Sequence, residues 1–195
     1  LSSPPLDPET PPDMRTVTNR VTPRMSPEFT EFHTFLVGLQ ETLREIAEQE
    51  GAKPLPFIRS ISLDTPLEAA VASLRKGLSF CFEEQRRLRS KDALFKTLRD
   101  QAHEAGIFVI VSNGCAPKIT IGVDEFRGMA LCDPIAPMAV VNKSDAKSAQ
   151  LFTLVHELTH LWLGQSAISN LDPLAVSRTE SMSTERYADN VAAEF

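Results

Sequence analysis

Hydrophobic residues recur at intervals of three and four in three segments of the first half of the chain, a spacing that predicts amphipathic helices. The first segment covers residues 29–50, with Gly51 placed to end the helix. The other two cover residues 67–82 and 92–105, and Gly106 ends the last of them. Each predicted helix therefore has one apolar face to bury against a core.

The pattern then changes to short runs of β-branched and other apolar residues between turn-forming residues, which predicts strands. These runs cover residues 107–112, 118–123, 127–132 and 138–142. A small, mostly antiparallel sheet is expected, in which 138–142 either offers an edge to an extended peptide or lies inside. A helix should follow from the candidate N-cap Ser144 to Gly164, and a last helix should begin near Thr184. This order of elements predicts an α+β fold.

The first 27 residues differ from the rest because they hold half of the chain's 14 prolines and few large apolar residues. We expect residues 1–27 to be a tail or linker and residues 28–195 to be a single domain. The chain starts at Leu1 rather than Met and stops at Phe195 inside a predicted helix. The expectation is therefore a fragment, with the domain truncated at its C-terminus.

Composition narrows the classes of function. The 195 residues are 42% hydrophobic and carry a formal net charge of −6, so we expect no direct nucleic-acid binding. Three cysteines without CxxC spacing indicate reduced thiols rather than a disulfide framework. The sequence contains no apolar run of about 18 residues and no signal-peptide pattern, so we expect a cytoplasmic protein with no membrane partner.

The strongest chemical signal is the HExxH motif formed by residues 156–160, HELTH. His156 and His160 are four residues apart on a predicted helix, so their imidazoles can reach one metal ion from the same face. Two such imidazoles suit Zn²⁺. Glu157 is placed to take a proton from a water molecule activated by the metal, which makes it the candidate general base.

An open catalytic zinc site needs a third protein ligand, and the candidates downstream are acidic. They are Asp172, Glu180, Glu185, Asp189 and Glu194. Glu185 is favoured because it opens a helix on which Asp189, one turn later, could orient a histidine ring as a hydrogen-bond acceptor. Glu180, nearer the preceding loop, remains the rival ligand.

Several segments resemble the ImmA/IrrE family of zinc metallopeptidases. The specific ones are FTLVHELTHLWLG at 152–164, AIS at 167–169 and ERYADNVAAEF at 185–195. Weaker similarity extends upstream through residues 126–142, 95–111 and 43–60. The resemblance therefore covers the chain from about Leu43 to its end.

The resemblance implies a cytoplasmic, zincin-like peptidase domain that cleaves a repressor or an antitoxin-like regulator. By position it makes His156 and His160 zinc ligands, Glu185 the third ligand and Glu157 the catalytic base. Where the family usually has Cys-Asn, this chain has Ala188 followed by Asp189, which keeps a polar group beside the ligands.

Two functions from different classes follow from these residues. The first is a zinc-dependent endopeptidase that acts on a cytoplasmic protein, either a repressor or a toxin or antitoxin-like regulator. The second is a non-proteolytic regulatory module that binds such a partner and uses zinc only to organise its fold. The intact Glu157 favours the enzyme, because a purely structural zinc site has no use for a base.

Overall fold

The computed structural model describes residues 26–112, 121–169 and 179–195, and within these ranges it has six helices and four strands. The α+β class is confirmed. The helices are α1 (Pro27–Gln49), α2 (Leu67–Gly77), α3 (Phe82–Arg87), α4 (Lys91–Glu104), α5 (Lys147–Leu163) and α6 (Thr179–Glu194). The strands are β1 (Phe108–Val111), β2 (Gly128–Leu131), β3 (Met138–Val141) and β4 (Ala167–Ser169). Residues 1–25 of the expected tail at 1–27 lie outside the described residues. Pro27, its last residue, already belongs to α1.

The four strands form one mixed sheet in the order β1-β3-β2-β4. Strands β2 and β3 pair antiparallel with Gly128 opposite Val141, and β2 and β4 pair antiparallel with Gly128 opposite Ser169. Strand β3 also pairs with β1, in parallel, with Phe108 opposite Met138. The expected mostly antiparallel sheet therefore contains one parallel pair, because the β2–β3 hairpin places β3 rather than β2 beside β1. Strand β3 is an inner strand, so it offers no edge to a peptide.

Two strand predictions need correction. Residues 121–123 do not form a strand but belong to a turn, in which the amides of Glu125 and Phe126 donate to the Gly122 carbonyl oxygen. The remainder of that predicted strand, residues 118–120, lies outside the described residues. Strand β4 is not among the predicted strands, because three residues are too short to show a period of two and its pairing with β2 is not a local property.

The helix boundaries also differ in places. The helix predicted for residues 67–82 ends at Gly77, because Ser79 has a left-handed φ of 54° and turns the chain into α3. Helix α5 has Ala146 rather than Ser144 as its N-cap, and the Ser144 amide donates instead to Asn142 Oδ1 at 2.9 Å. Helix α6 begins at Thr179, five residues before the expected start. The other predicted helices are confirmed to within a few residues.

The sheet has two different faces because successive side chains along a strand alternate. On the face toward α5, the inner strands carry the small residues Gly128, Ala130 and Ala139, so the helix can approach the backbone closely. On the opposite face they carry larger residues that pack against α1. These are Met129, Leu131, Met138 and Val140. The chain thus folds into three layers, with α1 on one side of the sheet and α5, α4 and α6 on the other.

Helix α1 is attached to the sheet by aromatic packing and by one amide side chain. Phe29 and Phe32 lie with their ring centroids 5.6 Å and 6.0 Å from that of Phe126. The Gln40 amide donates to the carbonyl oxygens of Leu131 and Ala136 at 2.8 Å and 2.9 Å. These contacts place α1 on the opposite side of the sheet from α5, which carries the HExxH motif.

Helix α5 is the central helix of the domain, and nearly all of its residues from Thr153 to Leu163 are buried. It ends as expected at Gly164, whose left-handed φ of 73° allows the Gly164 amide to donate back to the Leu161 carbonyl oxygen. No helix in the described parts of the chain is long and apolar enough to span a membrane. The apolar character of α5 reflects burial inside the domain.

Asn142 ties the loops at the end of β3 together, and we expect its replacement by alanine to destabilise the fold. Its buried amide donates to the carbonyl oxygens of Ile121 and Phe126 at 3.0 Å and 2.8 Å. Asn142→Ala leaves these carbonyl groups without donors and should lower the free energy of unfolding by about 2 to 4 kcal/mol. Denaturant unfolding measures this change. Asn190→Ala, at an exposed position of α6, is the control and should change it by less than about 0.5 kcal/mol.

Candidate metal centre

The two histidines of the HExxH motif point their rings toward one another from the same face of α5. Their Nε2 atoms are 3.0 Å apart and their ring centroids are 4.8 Å apart. Both residues are almost fully buried, with 4% and 0% of their surfaces exposed for His156 and His160. The spacing of four residues thus has the consequence expected from the helix geometry.

Helix α6 brings a carboxylate to the same point. Glu185 Oε2 lies 3.2 Å from His156 Nε2, and its other oxygen, Oε1, lies 3.4 Å from His160 Nε2. The helix packs against α5, and its residues Ala188 and Val191 are fully buried. The position of Glu185 is therefore fixed by packing of the helix that carries it.

These three side chains fit a tetrahedral metal ion. Zinc bonds of about 2.0 to 2.1 Å at tetrahedral angles place neighbouring ligand atoms about 3.3 Å apart. The measured distances among the two imidazole nitrogens and the carboxylate oxygens are 3.0 to 3.4 Å. Within the described ranges, His156, His160 and Glu185 are the one set of three such side chains that could hold an ion together. Three protein ligands leave one tetrahedral position for water or substrate.

Asp189 lies one turn beyond Glu185 and contacts the far side of the first histidine. Its Oδ1 is 2.9 Å from His156 Nδ1, so that nitrogen can donate to the carboxylate while Nε2 faces the centre. This is the arrangement that fixes the tautomer and orientation of a metal-binding histidine. Among the described residues, Nδ1 of His160 has no corresponding acceptor.

The surroundings shift the pKa values of the two histidines in opposite directions. Burial lowers the pKa of His156, but hydrogen bonds to Asp189 and Glu185 outweigh burial and raise this pKa to about 10. Burial, followed by the charge of His156, lowers the pKa of His160 to about 4. A metal ion and a proton compete for the same imidazole lone pair, so metal binding at His156 displaces a proton.

Glu157 lies between the histidines and the sheet, and its surface is completely buried. Burial raises the pKa of its carboxyl to about 8, while the charge of His156 opposes the rise. Neither carboxyl oxygen has a hydrogen-bond partner among the described residues. The Ser169 hydroxyl is close enough to counter the rise in pKa but lacks the geometry of a hydrogen bond. A buried carboxyl that no donor satisfies is suited to exchanging a proton with a reacting molecule.

Gly128 of β2 makes room for the Glu157 carboxyl. A β-carbon at position 128 would overlap Glu157 Oε1 and the methyl group of Thr153, which belongs to the preceding turn of α5. Sequence analysis did not identify Gly128 or its register partner Ser169 as site residues. The available signal was a glycine inside a predicted strand, which often marks a close approach of another group to the backbone.

Among the described residues, none of the remaining acidic candidates from the sequence belongs to the set of three ligands. Tyr187, which shares α6 with Glu185 and is the only tyrosine of the sequence, donates its hydroxyl to the Thr65 carbonyl oxygen at 2.7 Å, which is a packing contact. Glu180 lies in α6, but its side chain is outside the described residues, as is the whole of Asp172. Glu194 is exposed near the end of α6.

Residues 117–195 match the family model Peptidase_M78, described as the IrrE N-terminal-like domain. The resemblance to the ImmA/IrrE family is confirmed. The matched segment contains β2, β3, α5, β4 and α6, and so includes every residue of the candidate metal centre. It includes the similar segment at 126–142 but leaves out α1 to α4, β1 and the weaker similarity at residues 95–111 and 43–60. No curated protein and no solved structure matches the chain.

The match at residues 117–195 has a chemical consequence. Peptidase_M78 is a peptidase family, and the His156, His160 and Glu185 group is compatible with a bound metal. Together they indicate a metallopeptidase.

The metal centre generates a prediction about its third ligand. Glu185→Gln removes the charged oxygen donor and should reduce the metal content of the purified protein well below one ion per chain. Glu194→Gln, an exposed change on the same helix, should leave it unchanged. Elemental analysis and zinc titration of both variants measure the difference. If instead Glu180→Gln loses the metal and Glu185→Gln retains it, the third ligand is Glu180.

Proposed function

We propose that this protein is a zinc-dependent endopeptidase. One observation carries the proposal: two imidazole nitrogens and one carboxylate converge at tetrahedral spacing beside Glu157, which is fully buried and has no hydrogen-bond partner among the described residues. Nitrogen and carboxylate ligands with one position left open are typical of catalytic zinc sites. The family match of residues 117–195 supports a peptidase independently of this geometry.

In this mechanism His156, His160 and Glu185 would hold the zinc ion. Bound there, it would supply polarisation of the scissile carbonyl and a lowered pKa, about 7, for water. Glu157 accepts a proton from the attacking water at a carboxyl oxygen. It then donates that proton to the nitrogen of the leaving amine, so the carboxylate is regenerated in each cycle. The buried position of Glu157 excludes bulk water from this proton transfer.

Two further residues prepare this arrangement. Asp189 accepts the Nδ1 proton of His156 and so keeps Nε2 available as a ligand. Gly128 has no side chain and so lets Glu157 lie against β2. Neither residue needs to touch the substrate, and both act by positioning another group.

We propose a cytoplasmic protein as the substrate, either a repressor or a toxin or antitoxin-like regulator. This part of the proposal rests on the resemblance to the ImmA/IrrE family, since no described contact identifies a partner. The second candidate function, a regulatory binding module with a structural zinc site, would require a fourth protein ligand to close the metal centre. The described residues supply three.

The proposal predicts that Glu157→Gln separates metal binding from catalysis. Glutamine keeps the size of the side chain but has no basicity. Zinc content and the unfolding midpoint should stay close to wild type, whereas cleavage should fall by about 10² to 10⁴-fold. The measurement follows the product of a neighbouring gene by intact mass after incubation with each protein. Equal activity of wild type and Glu157→Gln toward that partner would favour the binding module.

A second variant tests whether the position of Glu157 matters. In Gly128→Ala the new methyl group displaces the Glu157 carboxyl from β2, so cleavage should fall by about tenfold or more while zinc content is retained. Gly38→Ala is the matched control, because a β-carbon at position 38 of α1 meets no atom within 4 Å. Full cleavage activity in Gly128→Ala would show that the close approach of Glu157 to the sheet is unimportant for catalysis.

A further inference from the structure

Four basic side chains surround a cavity of about 400 Å³ at the N-terminal end of α5. Lys96 and Arg99 come from α4, Lys147 is the first residue of α5, and Lys143 lies in the loop before it. Phe95 and the buried Gln150 form part of the wall between them. Basic groups from two separate elements of the fold thus line one concave surface.

The basic charge of this cavity is only partly neutralised. Asp92 contacts Lys147 at 3.5 Å, and Asp100 contacts Arg99 at 3.1 Å. Among the described residues, Lys96 and Lys143 have no acidic partner. The cavity therefore keeps a local surplus of positive charge in a chain whose formal net charge is −6. Such a local field attracts anions.

One of the basic groups is already held in place. The Gln150 amide donates to the carbonyl oxygens of Lys143 and Asp145 at 3.0 Å and 2.6 Å, and its Oε1 accepts from Lys147 Nζ at 3.4 Å. The same ammonium group lies 5.8 Å from the centre of the Phe95 ring. The opposing ion pair to Asp92 is exposed on both sides, so a bound anion can displace it at little cost.

The cavity is separate from the metal centre. Lys147 precedes His156 by nine residues, which is about 13.5 Å along the helix axis and two and a half turns. The two side chains therefore leave α5 on opposite sides. A ligand in the cavity would not touch the zinc ligands, although it would contact the same helix.

We propose that this cavity binds a phosphate monoester. A phosphate dianion matches the two unpaired ammonium groups. The Arg99 guanidinium already donates from Nε and Nη2 to Asp100 Oδ1, and its Nη1 is left to donate to a phosphate oxygen. A single carboxylate would leave positive charge unneutralised. The volume of about 400 Å³ leaves room for the organic group to which a phosphate monoester is attached. A mononucleotide and a phosphorylated side chain of a protein share this chemistry.

Isothermal titration of the zinc-loaded chain separates these sources. The probes are adenosine monophosphate against adenosine, a phosphoserine peptide against its unphosphorylated form, and inorganic phosphate. At least one monoester should bind more tightly than its unphosphorylated control and more tightly than inorganic phosphate, and its binding should weaken as salt is raised. The probe that binds identifies the source. If neither monoester binds more tightly than both its unphosphorylated control and inorganic phosphate, the proposal is wrong.

A pair of charge reversals tests the location. Lys96→Glu combined with Lys143→Glu should weaken binding of the monoester by about tenfold or more, because both side chains are exposed cations at the cavity. Arg44→Glu combined with Lys53→Glu makes the same change in net charge elsewhere on the exposed surface. Equal weakening by both pairs would mean attraction by net charge alone and would overturn the proposed site. Zinc content, measured in parallel, shows that each variant is folded, and the outcome does not depend on peptidase activity.

Discussion

The close contact between α5 and β2 is the constraint on which the rest of the site depends. The helix can approach the sheet because Gly128, Ala130 and Ala139 present almost no side-chain volume on that face. The approach buries the Glu157 carboxyl, neither oxygen of which has a hydrogen-bond partner among the described residues. Burying an unsatisfied carboxyl lowers the stability of the fold, and such a cost is common where the group has a chemical role.

The second requirement is the packing of α6 against α5. Glu185 follows His160 by 25 residues, and the intervening chain contributes β4 to the sheet edge before returning to the helix layer. The apolar residues Ala188 and Val191 lie on the side of α6 that is buried, so Glu185 and Asp189 are carried to the histidines together. A metal ion at this point would join two helices, and its binding energy would add to the stability of their contact.

The opposite face of the sheet has a different role. The large side chains of β2 and β3 pack there against α1, in a second apolar cluster that includes Phe126 and Ile121. This layer supports the strands from behind and takes no part in the metal centre. The basic cavity lies in the α4–α5 layer, at the start of the helix that carries the HExxH motif. A ligand there would contact α5, the helix that also carries the two histidines.

The sequence by itself determined the local features. Helical periodicity located α1, α4 and α5, and short apolar runs between turn-forming residues located β1, β2 and β3. The HExxH spacing determined that both imidazoles lie on one face of α5. These are properties of neighbouring residues along one element. For the third ligand the sequence favoured Glu185 over Glu180 but did not decide between them, because the answer depends on how α6 lies against α5.

Only the tertiary structure decided the long-range features. The position of β3 inside the sheet, the strand β4 and the contact of Glu157 with Gly128 all join residues that are distant in sequence. The basic cavity also joins residues that are distant in sequence, because its basic side chains come from α4 and from the start of α5. No periodic pattern records such pairings, because strand register and helix packing are set by the complementarity of two surfaces. That complementarity exists only after both elements have formed.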